Sequence, residues 1–147
     1  MKIYKDGKII GQVEKLESFL EDTGLSKEEI KIVYSIDELN KIITDYIFKY
    51  YPPVKQQSDI ADKVYYETLL RAKGINNLEQ DIVNRTTRFY NGETIEEVIA
   101  DVDDEDKVAY EQLLKVAIRT KFVQDCKLEL KKAIDENKEI EYPKYPL

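Results

Sequence analysis

The stretch that decides the fold is residues 103–137, DDEDKVAYEQLLKVAIRTKFVQDCKLELKKAIDEN. Its apolar residues recur every three or four positions and keep one face apolar over most of its length. They are Tyr110, Leu114, Ala117, Ile118, Phe122, Cys126, Leu130, Ala133 and Ile134. This period predicts one long amphipathic helix. Acidic residues crowd its start and basic residues follow, which is the order that a helix dipole favours.

Three further amphipathic stretches come earlier in the chain, and each is followed by residues that end a helix. The first opens with the capping-box pair Ser35 and Glu38 and must end at Pro52-Pro53, because neither proline has an N–H to donate. The second and third end at Gly74 and Gly92, where a left-handed residue closes a helix. These patterns predict a mainly α protein, a helical bundle.

One ten-residue pattern occurs twice. Residues 62–71, DKVYYETLLR, match residues 106–115, DKVAYEQLLK, at seven of ten positions. Ile60, Val64, Tyr65 and Leu69 mark the helical period of the first copy and of the residues just before it. A duplicated helical unit explains the match, with Leu69 and Tyr66 on the faces of Leu113 and Tyr110. Chance similarity between two helices rich in Lys, Glu and Leu is the alternative.

The chain ends differ from this helical body. Residues 2–11 predict a β-hairpin around Asp6-Gly7, and Gly24 ends a first short helix. Residues 26–35 fit either a third strand or a capped helix. We therefore expect one domain, 1–147, with a small α+β part at 1–35, a helical body at 36–137 and an extended tail at 138–147. The tail carries two Tyr-Pro steps, and a residue before proline is pushed toward an extended conformation.

Composition argues against most catalytic classes. The chain has no histidine, which removes the commonest general base and metal ligand, and its five glycines form no phosphate-binding loop. A net charge of −7 disfavours direct nucleic-acid binding, and no apolar run is long enough to span a membrane. The single cysteine, Cys126, fits a buried thiol. We expect a cytoplasmic protein that is not an enzyme and needs no cofactor or metal; a carboxylate-based hydrolase is the remaining catalytic alternative.

An acidic stretch without a single base lies just before the long helix. Its members are Glu93, Glu96, Glu97, Asp101, Asp103, Asp104, Glu105 and Asp106. A calcium loop fails here, because Asp106 stands where glycine is required and Gln112 where the closing glutamate is required. Two interpretations stay open. The acids imitate a phosphate backbone on a cationic partner, or they serve only the helix N-terminus and its dipole.

Eleven tyrosines are the other candidate binding feature. Adjacent pairs such as Tyr50-Tyr51 and Tyr65-Tyr66 cannot both point inward, so one of each pair is expected to face outward. Tyr142 and Tyr145 add two more in the tail. Because tyrosine offers a large, stiff and amphipathic contact area, these residues and the acids are our candidate partner-binding residues.

Residues 50–57, YYPPVKQQ, resemble bacteriophage tail-accessory proteins, which carry an aromatic-Pro step and then Lys-Gln before a long helix. The resemblance covers eight residues and implies a small virion or accessory component, located in the bacterial host or in the virion. Our leading hypothesis is a non-catalytic helical protein–protein interaction module, with a protein partner or a homo-oligomer. An acidic inhibitor that mimics nucleic acid is the alternative.

Overall fold

A computed structural model describes all 147 residues of the chain. It has six α-helices and three short strands, so the expected mainly α fold with an N-terminal sheet is confirmed. The strands are β1 (Lys2–Lys5), β2 (Lys8–Gln12) and β3 (Lys31–Val33). The helices are α1 (Leu16–Thr23), α2 (Ile36–Tyr50), α3 (Pro53–Ala72), α4 (Leu78–Tyr90), α5 (Ile95–Val98) and α6 (Lys107–Glu136). None of these helices is both long and apolar enough to cross a membrane.

The chain divides into two compact units, and the division falls inside α2 and α6. The first unit comprises residues 1–46 and 128–141, and the second comprises residues 47–127 and 142–147. These boundaries differ from residues 35 and 137, where we expected the parts of the chain to change. Each unit therefore draws on distant stretches of sequence.

The first unit contains the small sheet, in the order β2-β1-β3 with both pairs antiparallel. Asp6 and Gly7 have φ values of 52° and 76°, as the predicted two-residue turn requires. Both alternatives for residues 26–35 occur in succession: a single 3-10 turn with the Ser26–Glu29 capping box, then β3. Ser35 and Glu38 exchange the two hydrogen bonds of the capping box that was expected at the start of α2.

The second unit is built around one apolar cluster drawn from α3 to α6. Its buried members are Leu70, Leu78, Val98, Ile99, Ala109, Tyr110, Leu113 and Leu114. Pro52 and Pro53 act at both sides of one junction, because they end α2 and Pro53 opens α3 at its first turn. As a result, α3 begins seven residues before Ile60, the first residue of its predicted apolar face.

The ten-residue repeat is helical in both copies, but the likeness is short. After the first copy the chain breaks at Gly74 and starts α4 at Leu78, whereas α6 runs on without interruption. Leu69 is 43% exposed and Leu113 is 3% exposed. Both segments are helical, as predicted, and Tyr66 and Tyr110 both pack in or against the apolar cluster, but Leu69 and Leu113 differ in burial.

Candidate functional site

Helix α3 turns an apolar face to solvent. Ile60, Val64, Tyr65 and Leu69 are 67%, 63%, 59% and 43% exposed, and Ala61 and Thr68 between them are exposed as well. We call these six residues the α3 stripe. Their spacing of three and four residues places them on one side of the helix. The helix that Ile60, Val64, Tyr65 and Leu69 predicted is present, and these four side chains lie on its exposed side.

The side of α3 that faces inward is polar at its first half. Asp59 is 1% exposed, and its carboxylate accepts hydrogen bonds from the Tyr51 hydroxyl at 2.7 Å and from Arg119 Nη1 at 3.1 and 3.2 Å. Lys55 Nζ lies 3.3 Å from the same carboxylate. A buried carboxylate needs partners of this kind, because removal from water penalises an unpaired charge by several kcal/mol. The ion pair fixes which side of α3 points inward.

The C-terminal tail covers this ion pair. Tyr145 stacks on Tyr50 with ring centroids 5.2 Å apart and meets Phe122 edge-on at 5.1 Å. Its hydroxyl accepts a hydrogen bond from Arg119 Nε at 3.4 Å. Burial alone would lower the pKa of Arg119, but the bonds to Tyr145 and Asp59 outweigh it and raise that pKa. Residues 138–147 contain no helix or strand, and Tyr145 of this segment packs against Tyr50 and Phe122 of the same chain.

The two adjacent tyrosine pairs each divide as expected. Tyr51 is 5% exposed, whereas Tyr50 is 37% exposed and contacts the tail. Tyr65 is exposed, and Tyr66 is partly buried against the apolar cluster. Tyr65 is therefore the tyrosine of these pairs that is most open to a partner.

Most of the acidic stretch is engaged by bases of the same unit. Arg85 holds Asp101 with two hydrogen bonds, and this contact lowers the pKa of Asp101. Arg88 binds Glu93 in the same two-pronged way, at 2.7 and 2.8 Å, and lowers the pKa of Glu93. Arg85 also donates to the Val98 carbonyl. These arginines join α4 to the segment that follows it.

The remaining acids lie at helix starts. Glu97 completes a capping box with Thr94, and Asp104 lies 3.2 Å from Lys107 Nζ. The carboxylates of Asp103, Glu105 and Asp106 lie within 4.8 Å of one another, and Lys73 pairs with the last two of these residues. Lys73 thus supplies the positive charge that the cluster needs. Glu96 is exposed at the start of α5.

An open groove of about 500 Å³ lies beside the α3 stripe. Lys63 and Glu67 of α3 form one wall, and Val83 of α4, which is 55% exposed, lies on another. Apolar side chains of α4 and α6 line the rest, among them Ile82 and Val116. Lys63 and Glu67 lie three residues after Ile60 and Val64 on the same helix, so the groove lies next to the stripe.

Two titratable groups of the second unit, Asp59 and Cys126, have surroundings that favour a structural role. The Asp59 carboxylate is held by three partners, which leaves it poorly placed to exchange a proton with a substrate. Burial raises the pKa of the Cys126 thiol to about 11, so the reactive thiolate is scarce at neutral pH. The α3 stripe, by contrast, is a set of apolar side chains that the fold leaves exposed.

Comparison of the chain with protein-family models, with curated proteins and with solved structures finds no match. The resemblance of residues 50–57 to bacteriophage tail-accessory proteins accordingly stays a prediction. Of our candidate binding residues, Tyr65 lies in the α3 stripe. The stripe adds Ile60, Val64 and Leu69, which the sequence analysis used only as markers of a helix.

Proposed function

We propose that this chain is a non-catalytic protein-interaction module whose docking surface is the α3 stripe. The observation that carries the proposal is the inverted amphipathicity of α3. The carboxylate of Asp59 in this helix is buried, and the large apolar side chains at 60, 64, 65 and 69 are exposed. An isolated exposed apolar residue is ordinary on any protein surface, but a contiguous stripe of large ones is typical of a surface that another protein covers.

Charge on α3 supports a protein partner. The helix carries three basic and three acidic residues, which sum to zero in a chain of net charge −7. No acid lies within the α3 stripe. A partner that approaches this helix therefore meets little of the repulsion that the rest of the chain exerts on acidic proteins.

The alternative, mimicry of nucleic acid by residues 93–106, has weaker support. Asp101, Glu93 and Asp106 are neutralised by Arg85, Arg88 and Lys73. A mimic needs acids that are free to meet a cationic groove, and these three already have partners.

Hydroxyl-radical footprinting tests the proposal. We would label the chain in extracts of the cells that produce it and, separately, as dilute purified protein. We expect Val64, Tyr65 and Leu69 to be protected in the extract, because the partner covers them. Val108 of α6 is a matched control, since it is 61% exposed and should label equally in both samples. Equal labelling of the stripe in extract and in dilute solution would overturn the proposal.

A further inference from the structure

The side chain of Tyr145 fastens the tail to the second unit. Its ring stacks on Tyr50 and meets Phe122 edge-on, with centroids 5.2 and 5.1 Å apart. Its hydroxyl accepts a hydrogen bond from Arg119 Nε at 3.4 Å. We call Tyr50, Arg119 and Phe122 the tail site. All three contacts are made by one aromatic side chain, which is how a peptide anchor is held in a receptor.

The tail site is held together by contacts that do not involve the tail. Tyr50 meets Phe122 edge-on at 6.1 Å, and the Asp59 carboxylate accepts hydrogen bonds from Arg119 Nη1 at 3.1 and 3.2 Å. These bonds leave Arg119 Nε to donate to Tyr145. A site that is formed in advance loses little conformational entropy when its ligand binds. We therefore expect the tail site to keep its shape when the tail leaves.

The tail itself is stiff before it docks. It contains the steps Tyr142-Pro143 and Tyr145-Pro146, and proline pushes the residue before it into an extended conformation. Pro146 is partly buried beside the anchor. Extended segments that contain proline dock on aromatic surfaces at a low entropic cost, because they already have the bound conformation. An aromatic site and a stiff Tyr-Pro segment are thus matched as receptor and ligand.

We propose that the tail site binds an extended Tyr-Pro segment of a partner protein, and that the tail of this chain is a resident occupant which the partner's segment displaces. The tail shows the chemistry that the segment needs: a tyrosine ring against Tyr50 and Phe122, a hydroxyl at Arg119 Nε, and a proline after the tyrosine. The tail site shares no residue with the α3 stripe, so this inference is independent of the proposed function.

The covalent attachment of the tail decides between a partner protein and a second copy as the source of the segment. A segment tied to its receptor by a short linker has an effective concentration in the millimolar range. The tail of a second copy makes the same contacts, so at micromolar concentration it does not displace the tail already in place. A partner's segment displaces the tail when additional contacts make its binding tighter.

Peptide binding to the full chain tests the inference. The probe is a fluorescein-labelled peptide of residues 138–147, and fluorescence anisotropy measures its binding. Tyr145→Ala in the full chain removes the anchor of the tail and vacates the site, so we expect this variant to bind the peptide with a dissociation constant below about 1 mM. The wild-type chain should bind it at least about tenfold more weakly, because its own tail competes. Circular dichroism checks that the variant stays folded.

Changes in the peptide and in the site show what is recognised. A peptide with Tyr145→Ala should lose binding, and one with Pro146→Ala should bind more weakly, because a less stiff segment loses more entropy. Within the vacated chain, Tyr50→Ala removes one wall of the site and should weaken binding about tenfold. Val108→Ala, at an exposed position of α6, is the control and should leave binding unchanged.

Three results would overturn the inference. They are no binding of the peptide to the Tyr145→Ala chain up to about 1 mM, equal binding to that chain and to wild type, and binding that Tyr50→Ala leaves unchanged. Sedimentation equilibrium separates the two sources of the segment, since the wild-type chain should stay monomeric up to about 100 µM. A wild-type dimer that Tyr145→Ala abolishes would assign the segment to a second copy and overturn the partner protein as its source.

Discussion

Residues 62–71 of α3 and 106–115 of α6 are nearly the same sequence in two different environments. Leu70 and Leu114 are both buried, and Val64 and Val108 are both exposed, so the two helices turn the same edge outward. They differ at Leu69 and Leu113, which are 43% and 3% exposed. The apolar period of a helix therefore tells how wide its apolar face is, and what covers that face depends on the rest of the chain.

The residues just before the two copies explain part of the difference. Asp59 of α3 corresponds to Asp103, which is exposed, but Asp59 is held inside by Arg119, Tyr51 and Lys55. This ion pair orients α3 with a polar side inward. In α6 the corresponding turn lies at the surface, and the apolar side of the helix packs into the cluster.

The largest effect is expected at Asp59. Asp59→Ala leaves the partly buried Arg119 guanidinium without its carboxylate and should lower the free energy of unfolding by about 3–5 kcal/mol. Asp103→Ala, the matched change before α6, should alter it by less than about 0.5 kcal/mol, because that residue is exposed. Urea unfolding of both variants gives the comparison, and equal effects would mean that Asp59 does not orient α3.

The next largest effect concerns the two leucines. Leu113→Ala removes a side chain from the packed cluster and should lower the free energy of unfolding by about 2–5 kcal/mol. Leu69→Ala should lower that of the dilute monomer by less than about 1 kcal/mol, because Leu69 has no such packing. Denaturation at micromolar concentration measures both. A large loss for Leu69→Ala would show that the stripe is already covered within one chain.

The tail contacts Arg119, the partner of Asp59, through Tyr145. We expect the loss of this contact to lower stability less than the two changes above. Tyr145→Ala loses the ring contacts with Tyr50 and Phe122 and the hydrogen bond from Arg119, at about 1–3 kcal/mol of unfolding free energy. Leu147→Ala, at a position 41% exposed in the same tail, is the control and should change stability little. Thermal melts that do not separate the two variants would mean that the tail is not docked in solution.

The smallest effect is on the pH dependence of stability and comes from α6. Burial raises the pKa of Cys126 from its ordinary value of 9.0 to about 11. A group whose pKa is raised on folding stabilises the protein fully below its unfolded pKa, and the stabilisation is lost as pH rises through the folded value. Stability should therefore fall between pH 9 and pH 11. Cys126→Ala should flatten the fall, as chemical denaturation at several pH values would show; an unchanged slope would contradict this cause.

Local signals made much of the fold predictable. Asp6-Gly7 predicted the hairpin, the Ser35–Glu38 pair predicted the start of α2, and Gly74 predicted the end of α3. Each of these signals acts on its own turn of backbone. Which side of α3 faces inward was not predictable in this way. It depends on a contact between Asp59 and Arg119, which are 60 residues apart in the chain.

The candidate site was predictable only in part, for the same reason. Tyr65 was identified because tyrosine is common at interfaces, whereas Val64 and Leu69 have the composition of a core. The signal that was present is on the opposite side of the helix: Lys55 and Asp59 place charge where a buried face needs apolar residues. The residues on both sides of α3, taken together, indicate that its apolar side faces outward.

Cysteine accessibility tests most directly the central claim that the outward side of α3 is a docking surface. Val64 and Val108 are equivalent residues of the repeat with 63% and 61% exposure, so Val64→Cys and Val108→Cys react equally with a small thiol reagent. Each would be made in a Cys126→Ala background and labelled with that reagent in dilute solution and in extract of the cells that produce the chain. We expect Val64→Cys to label more slowly in the extract, because a partner covers the α3 stripe there, and Val108→Cys to label equally in both samples. Equal labelling of Val64→Cys in the two samples would contradict the account.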